Sequence, residues 1–359
     1  MDLDIHPKLK EDAISLLQKL IQTPSLSKEE DNSAKLLANF FLSNGILFNQ
    51  KGNNIWAPNK YFDPRLPTIL LNSHHDTVKP NQGYSKDPYQ AFIEEGKLYG
   101  LGSNDAGGCL VTLIAAFIYY YDKKTPYNLI LAATAEEEIS GKNGIESLLP
   151  ELPELELAIV GEPTLLNMSV AEKGLLVIDA FVKGKAGHAA REEGENAIYK
   201  ALDDLNLIKS YRFRKKSDYL GENKVTATII HAGSQHNVVP DSCSYTLDVR
   251  VTDAYTLKGA LEELKKVLKA DLQPRSLRLN SSTIDPGHKI IKVAKKMGLE
   301  LYGSPTLSDQ ALIPFPSVKI GPGDSARSHT ADEFIYLEEI RQGVELYIQL
   351  LQTYFDLRY

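Results

Sequence analysis

In the segment KLKEDAISLLQKLI, apolar residues fall at Leu9, Ala13, Leu16, Leu17 and Leu20, the spacing of one helical face. Ser27-x-x-Glu30 then has the form of a capping box ahead of a second helix, SKEEDNSAKLLANFFLSNG, with Gly45 as its stop. Three unbroken apolar runs follow: TILLNS from Thr68, NLILAATA from Asn128 and LAIVGE from Leu157. Each reads as a strand buried on both faces. Between the first two lies GGCLVTLIAAFIYYY, long enough to be a helix packed on a sheet. Alternation of this kind predicts an α/β fold, with a mostly parallel sheet covered by helices on both faces.

The pattern changes after Glu172. GLLVIDAFVKG, KVTATIIHAG and SCSYTLDVRV read as half-exposed strands, and ENAIYKALDDLNLIKSY and AYTLKGALEELKKVLKA as amphipathic helices. From Thr283 the first pattern resumes and ends in a long helix, YLEEIRQGVELYIQLLQTYF. The layout predicts two domains, one interrupting the other: 1–171 with 283–359, and an α+β insertion over 172–282.

Composition narrows the function. The 359 residues carry 40 Lys and Arg against 47 Asp and Glu, a net charge of −7 with no basic block. That argues against nucleic acid and anionic membranes as partners. No apolar run reaches transmembrane length. The start, MDLDIHPKLKED, lacks the basic and apolar regions of a signal peptide. Cys109 and Cys243 sit far apart in apolar or strand-like runs and read as buried thiols, so a cytoplasmic location is expected.

The candidate chemistry sits where apolar strands end. TILLNS runs into His74-His75-Asp76, where Asp76 can accept the ring N–H of His74, as a metal histidine requires; a turn histidine fits equally. In Gly100-Leu101-Gly102-Ser103-Asn104-Asp105-Ala106-Gly107-Gly108, glycines flank one Asp whose two oxygens could bridge two cations; a helix N-cap is the plain alternative. Glu136-Glu137-Glu138 would repel one another without a positive partner, unless they are a solvated helix start. Glu162 ends LAIVGE, where a surface carboxylate would also be ordinary. His329 follows the short strand Ser317–Ile320 in a Gly-rich polar loop. Taken together, they supply a two-metal site with N and O ligands and no thiolate, which suits zinc, or cobalt or manganese.

The order HxD, D, EE, E, H resembles the M20 family of co-catalytic zinc amidohydrolases. The likeness is to the branch that holds acetylornithine deacetylase, succinyl-diaminopimelate desuccinylase and acetylcitrulline deacetylase. It extends through Gly161-Glu162-Pro163-Thr164, Lys183-Gly184-Lys185-Ala186-Gly187-His188, Asn237-Val238-Val239-Pro240 and Asp248-Val249-Arg250, covering essentially the whole chain. It implies a zinc-exopeptidase-like sheet with an inserted ferredoxin-like lid and dimerisation domain, and a homodimer formed through that lid. It implies two Zn²⁺, with Co²⁺ or Mn²⁺ as substitutes. His74 and Glu162 would complete one metal position, Glu138 and His329 the other, and Asp105 would bridge them. Asp76 would orient His74. Glu137 would be the general base, although a shift of one residue would put the base at Glu136 and the ligand at Glu137. His188 would stabilise the oxyanion in a neighbouring subunit, and Asn237 and Arg250 would hold the substrate's acid end. Two departures stand out: the family's Asp-x-Lys-Gly is Asp105-Ala106-Gly107-Gly108, and Arg191-Glu192-Glu193-Gly194 follows the lid histidine where a Pro is common.

The activity this implies is hydrolysis of the amide of an N-acyl amino acid, on N-acetylornithine, N-acetylcitrulline or the N-succinyl analogue, in arginine biosynthesis. A dipeptidase or aminopeptidase of the same family is the alternative enzyme, and a metal-binding relative without catalysis the alternative class. Ser304–Asp309 and Arg327-Ser328 are candidate contacts for the acyl group.

Overall fold

Every residue of Thr68–His74 and of Asn128–Thr134 is buried, as is nearly all of Leu155–Val160. Strands apolar on both faces need cover on both, and they obtain it in a sheet whose centre is parallel. In this computed structural model, which describes residues 5–357, the order across the sheet is 49–51, 54–58, 128–134, 68–74, 155–160, 317–319, 168–172 and 282–283, with 301–304 also paired to 168–172. The pairs 128–134/68–74, 68–74/155–160 and 155–160/317–319 are parallel, and the edge pairs antiparallel. Residues 1–4 and 358–359, which the reading of the chain's start and the expected domain bounds include, lie outside the described residues.

The helix Gly108–Tyr121 is buried over most of its circumference, because the sheet and the helices Pro7–Ile21 and Leu337–Asp356 surround it. Among the described residues no helix is long and apolar enough to cross a membrane.

The chain divides into two compact units. One comprises Met1–Val170, Ile284–Tyr302 and Ser308–Tyr359; the other comprises Ala171–Thr283 and Gly303–Leu307. The sequence reading leaves 303–307 with the first. The second unit has a four-stranded antiparallel sheet in the order 224–232, 242–251, 174–183, 271–274, with helices Ala197–Ser210 and Leu257–Lys265. Its β-α-β-β-α-β sequence is the ferredoxin-like arrangement. Its core includes Leu176, Ile178, Tyr245, Leu247 and Leu261. One strand departs from expectation: Lys224–Ala232 is exposed along nearly its whole length, not on one face only.

Candidate metal centre

His74 is the last residue of its strand and is fully buried. Its Nδ1 lies 3.0 Å from the main-chain oxygen of Asp76 and 3.3 Å from Asp76 Oδ1. With Nδ1 the donor to Asp76, Nε2 is left to hold a proton or a cation. That atom has no hydrogen-bond partner among the described residues. It faces Asp105 Oδ1 at 3.5 Å, Glu137 Oε2 at 3.8 Å and Glu162 Oε1 at 3.9 Å. A buried imidazole nitrogen among three carboxyl groups calls for positive charge between them, as protons or as metal ions.

Asp76 also organises the acidic turn. Its carboxylate accepts hydrogen bonds from the main-chain N–H of Glu137 at 3.0 Å and of Glu138 at 3.2 Å, and from the Ser27 hydroxyl at 2.7 Å. Ser27 is therefore not a helix cap. Nor does Glu30 close a capping box: its carboxylate takes the N–H of Lys28 at 2.7 Å, that of Glu136 at 3.2 Å and Asn53 Nδ2 at 3.0 Å. The helix begins at Asp31 with no side-chain cap. Glu136 adopts a positive φ of 54°, costly for a residue with a side chain, and its carboxylate turns to Asn143. Glu137 and Glu138 are carried to the other side of this turn. Glu138 Oε2 meets His329 Nε2 at 2.9 Å.

Asp105 stands in a short turn before the helix Gly108–Tyr121, and its peptide bond to Ala106 is cis. It does not cap that helix. Asp105 Oδ2 is 3.6 Å from His329 Nε2. The absent lysine has a local reason: a Cβ at Gly107 would lie 2.5 Å from the carbonyl oxygen of Gly102. Arg327 is engaged elsewhere, in a two-pronged pair with Glu339 at 2.7 and 3.0 Å, over the rings of Phe334 and Tyr336.

Burial and neighbouring carboxylates distort the proton affinities. Burial pushes Glu137 well above the usual carboxylate range, and the charge of Glu162 adds to it. Glu162 is pushed to about 8 by burial, with Asp105 adding to it. Burial also raises Glu138. Burial alone would lower His74, but Glu137, Asp105 and Asp76 more than reverse this. The hydrogen bond to Glu138 raises His329 to about 9. Asp309, hydrogen-bonded by Asn72 Nδ2 and Thr134 Oγ1 at 2.8 Å each, is raised to about 6 by burial.

The structure thus brings His74, Asp105, Glu137, Glu138, Glu162 and His329 together. The groups His74–Asp105–Glu138 and His74–Glu137–Glu162 each keep their ligand atoms within 4.8 Å of one another. Donors of this kind, with no thiolate and with an orphaned imidazole nitrogen at their centre, fit a pair of divalent cations.

The other predicted residues lie in the second unit. His188 is exposed on a two-residue strand that pairs with Val238–Val239, and Ala189 N–H donates to the main-chain oxygen of Asn237 at 3.0 Å. Arg250, on the strand Ser242–Val251, is held by Asp248 in the same strand at 2.9 and 3.0 Å. Sequence reasoning missed Glu30, taken for a cap, and Glu333, whose only sign was an acid soon after His329.

The model of peptidase family M20/M25/M40 matches residues 70–353. A succinyl-diaminopimelate desuccinylase of Wolbachia pipientis is 24% identical over 97% of this chain and 94% of its own length. An acetylornithine deacetylase of Proteus mirabilis is 28% identical over 95% of this chain and 96% of its own length. Among solved structures, an aminopeptidase, PepT, of Bacillus cereus superposes with a TM-score of 0.78 at 20% identity, covering 96% of this chain and 98% of that one. A dinuclear metal-binding peptidase of Bacillus subtilis does so with 0.76 at 16% identity, over 97% and 99%.

Proposed function

The chain belongs to peptidase family M20/M25/M40 and is a metal-dependent amidohydrolase, and on that premise we propose that it cleaves the amide of an N-acyl amino acid, N-acetylornithine, N-acetylcitrulline or the N-succinyl analogue, in arginine biosynthesis. The observation that carries the metal chemistry is the buried His74 Nε2, without a hydrogen-bond partner among the described residues and facing Asp105, Glu137 and Glu162. His74, Asp105, Glu162, Glu138 and His329 would hold two cations, with Asp105 between them. Zinc suits the donors, with cobalt or manganese as substitutes. Such a pair, when bound, supplies Lewis-acid polarisation of the amide carbonyl and of the attacking water.

Glu137 is the general base in this reading. Its raised proton affinity suits a group that takes a proton from water and passes it to the leaving nitrogen. Glu136, turned to Asn143, does not serve. Asp76 holds the ring of His74 and the backbone of Glu137 in one grip. Asn237 and Arg250 would hold the substrate's acid end, Arg250 giving up part of its pairing with Asp248. The chain would work as a homodimer through the second unit, with the partner's His188 donating to the oxyanion. The exposed edge strand Lys224–Ala232, carrying Ile229 and Ile230 on the surface, supports that role. Two free cysteines, both buried, agree with a cytoplasmic location.

Product analysis on acetylornithine, acetylcitrulline, their succinyl analogues and a dipeptide panel tests the substrate class. EDTA should abolish hydrolysis, and Zn²⁺ or Co²⁺ should restore it. Cleavage of dipeptides alone would replace the deacylase reading with a peptidase one. Glu137→Gln should keep its metal content while kcat falls about 10²–10⁴-fold.

A further inference from the structure

Glu333 is 2% exposed, yet no side-chain cation meets its carboxylate among the described contacts. Its partners are main-chain donors. Oε1 accepts the N–H of Asn104 at 2.8 Å and of Asp105 at 2.9 Å, and Oε2 accepts that of Gly102 at 3.2 Å. The main-chain oxygen of Glu333 takes the N–H of Gly100 at 3.0 Å. Asn104 adds a reciprocal pair with the backbone of Asp324, both bonds 3.0 Å. Two loops are joined in this way: the one bearing Asp105 and the one bearing His329. Three main-chain N–H groups converge on this one buried carboxyl group, and losing it would leave all three without that acceptor. None of them uses a metal-facing atom, so Glu333 acts through the residues it holds.

We propose that Glu333 is a positioning residue that fixes the separation between Asp105 and His329, and thereby retains the second of two divalent cations. The proposal rests on the two-cation reading above. One cation position keeps His74 and Glu162 when the clamp is lost. The other depends on Glu138 together with both of the residues the clamp ties. Loss of Glu333 should therefore weaken one position much more than its neighbour. A residue that merely satisfied buried donors would lower stability without that asymmetry.

The test is a Co²⁺ titration of the metal-free full chain, followed by visible absorption, with metal content measured after gel filtration. Wild type should take two Co²⁺. Glu333→Ala and Glu333→Gln should bind the second at least tenfold more weakly while losing less affinity for the first, which shares Asp105 but keeps His74 and Glu162, with hydrolysis restored by excess Co²⁺. Gln keeps an oxygen for Asn104 and Asp105 but turns an NH₂ toward the N–H of Gly102, so it disturbs the clamp while preserving its shape. If Glu333→Ala does not fold, Glu333→Gln decides. Folded variants that bind both ions as wild type does would overturn the proposal. A wild type that takes fewer than two would overturn the two-cation reading, and the proposal with it.

Discussion

At the scale of single residues, the centre is a contest between protons and cations. Glu162 in the cation-free fold releases its proton near pH 8, whereas a carboxyl in the unfolded chain does so near 4.5. Over that interval the folded state binds more protons, so its stability falls as pH rises. His329 acts with the same sign: its contribution is complete below 6.5 and lost as pH rises through about 9. The metal-free chain should therefore melt at a lower temperature at pH 9 than at pH 6. Saturation with a divalent cation should flatten or reverse that slope, because the cation replaces the protons. Thermal scans across pH, with EDTA or with Zn²⁺, read this directly; equal slopes under the two conditions would contradict it. Each binding event should also release protons, measurable by calorimetry in buffers of different ionisation enthalpy.

At the scale of elements, the strands declared themselves because their message is local. Unbroken runs such as TILLNS and NLILAATA can only be buried on both faces, and the acids and histidines that follow them had to sit at the carboxyl ends of neighbouring strands. The supporting residues were not legible, because their partners are remote in sequence. Ser27 and Glu30 have the letters of a capping box, but they serve Asp76 and Glu136. Glu333 carries no pattern that separates it from any surface acid. This difference gives a test. Glu30→Ala should strand the buried main-chain N–H of Glu136 at about 1–3 kcal/mol in urea unfolding, with the far-ultraviolet helical signal intact. A cap would show the reverse, a frayed helix and a small loss.

For the molecule as a whole, the same logic limits what sequence shows. The insertion was visible as a change of pattern at Glu172, and at its ends Ala171–Glu172 pairs with Ser282–Thr283; the inclusion of Gly303–Leu307 in the second unit carried no such sign. The nearly complete exposure of Lys224–Ala232 was not foreseen, because its alternation of letters suggests one covered face. If that strand is an interface, Ile230→Lys should convert a dimer into a monomer in sedimentation while the metal content of each chain stays unchanged. Mixing His188→Ala with Glu137→Gln homodimers should restore hydrolysis only after subunit exchange. The strand order has a further consequence for biosynthesis. Ser317–Lys319 lies between Leu155–Val160 and Met168–Glu172, which are near neighbours in the chain. A nascent polypeptide must therefore leave a slot in its sheet until the whole insertion has been translated. His329 emerges later still, so chains stalled on the ribosome before that point should lack an intact second cation position.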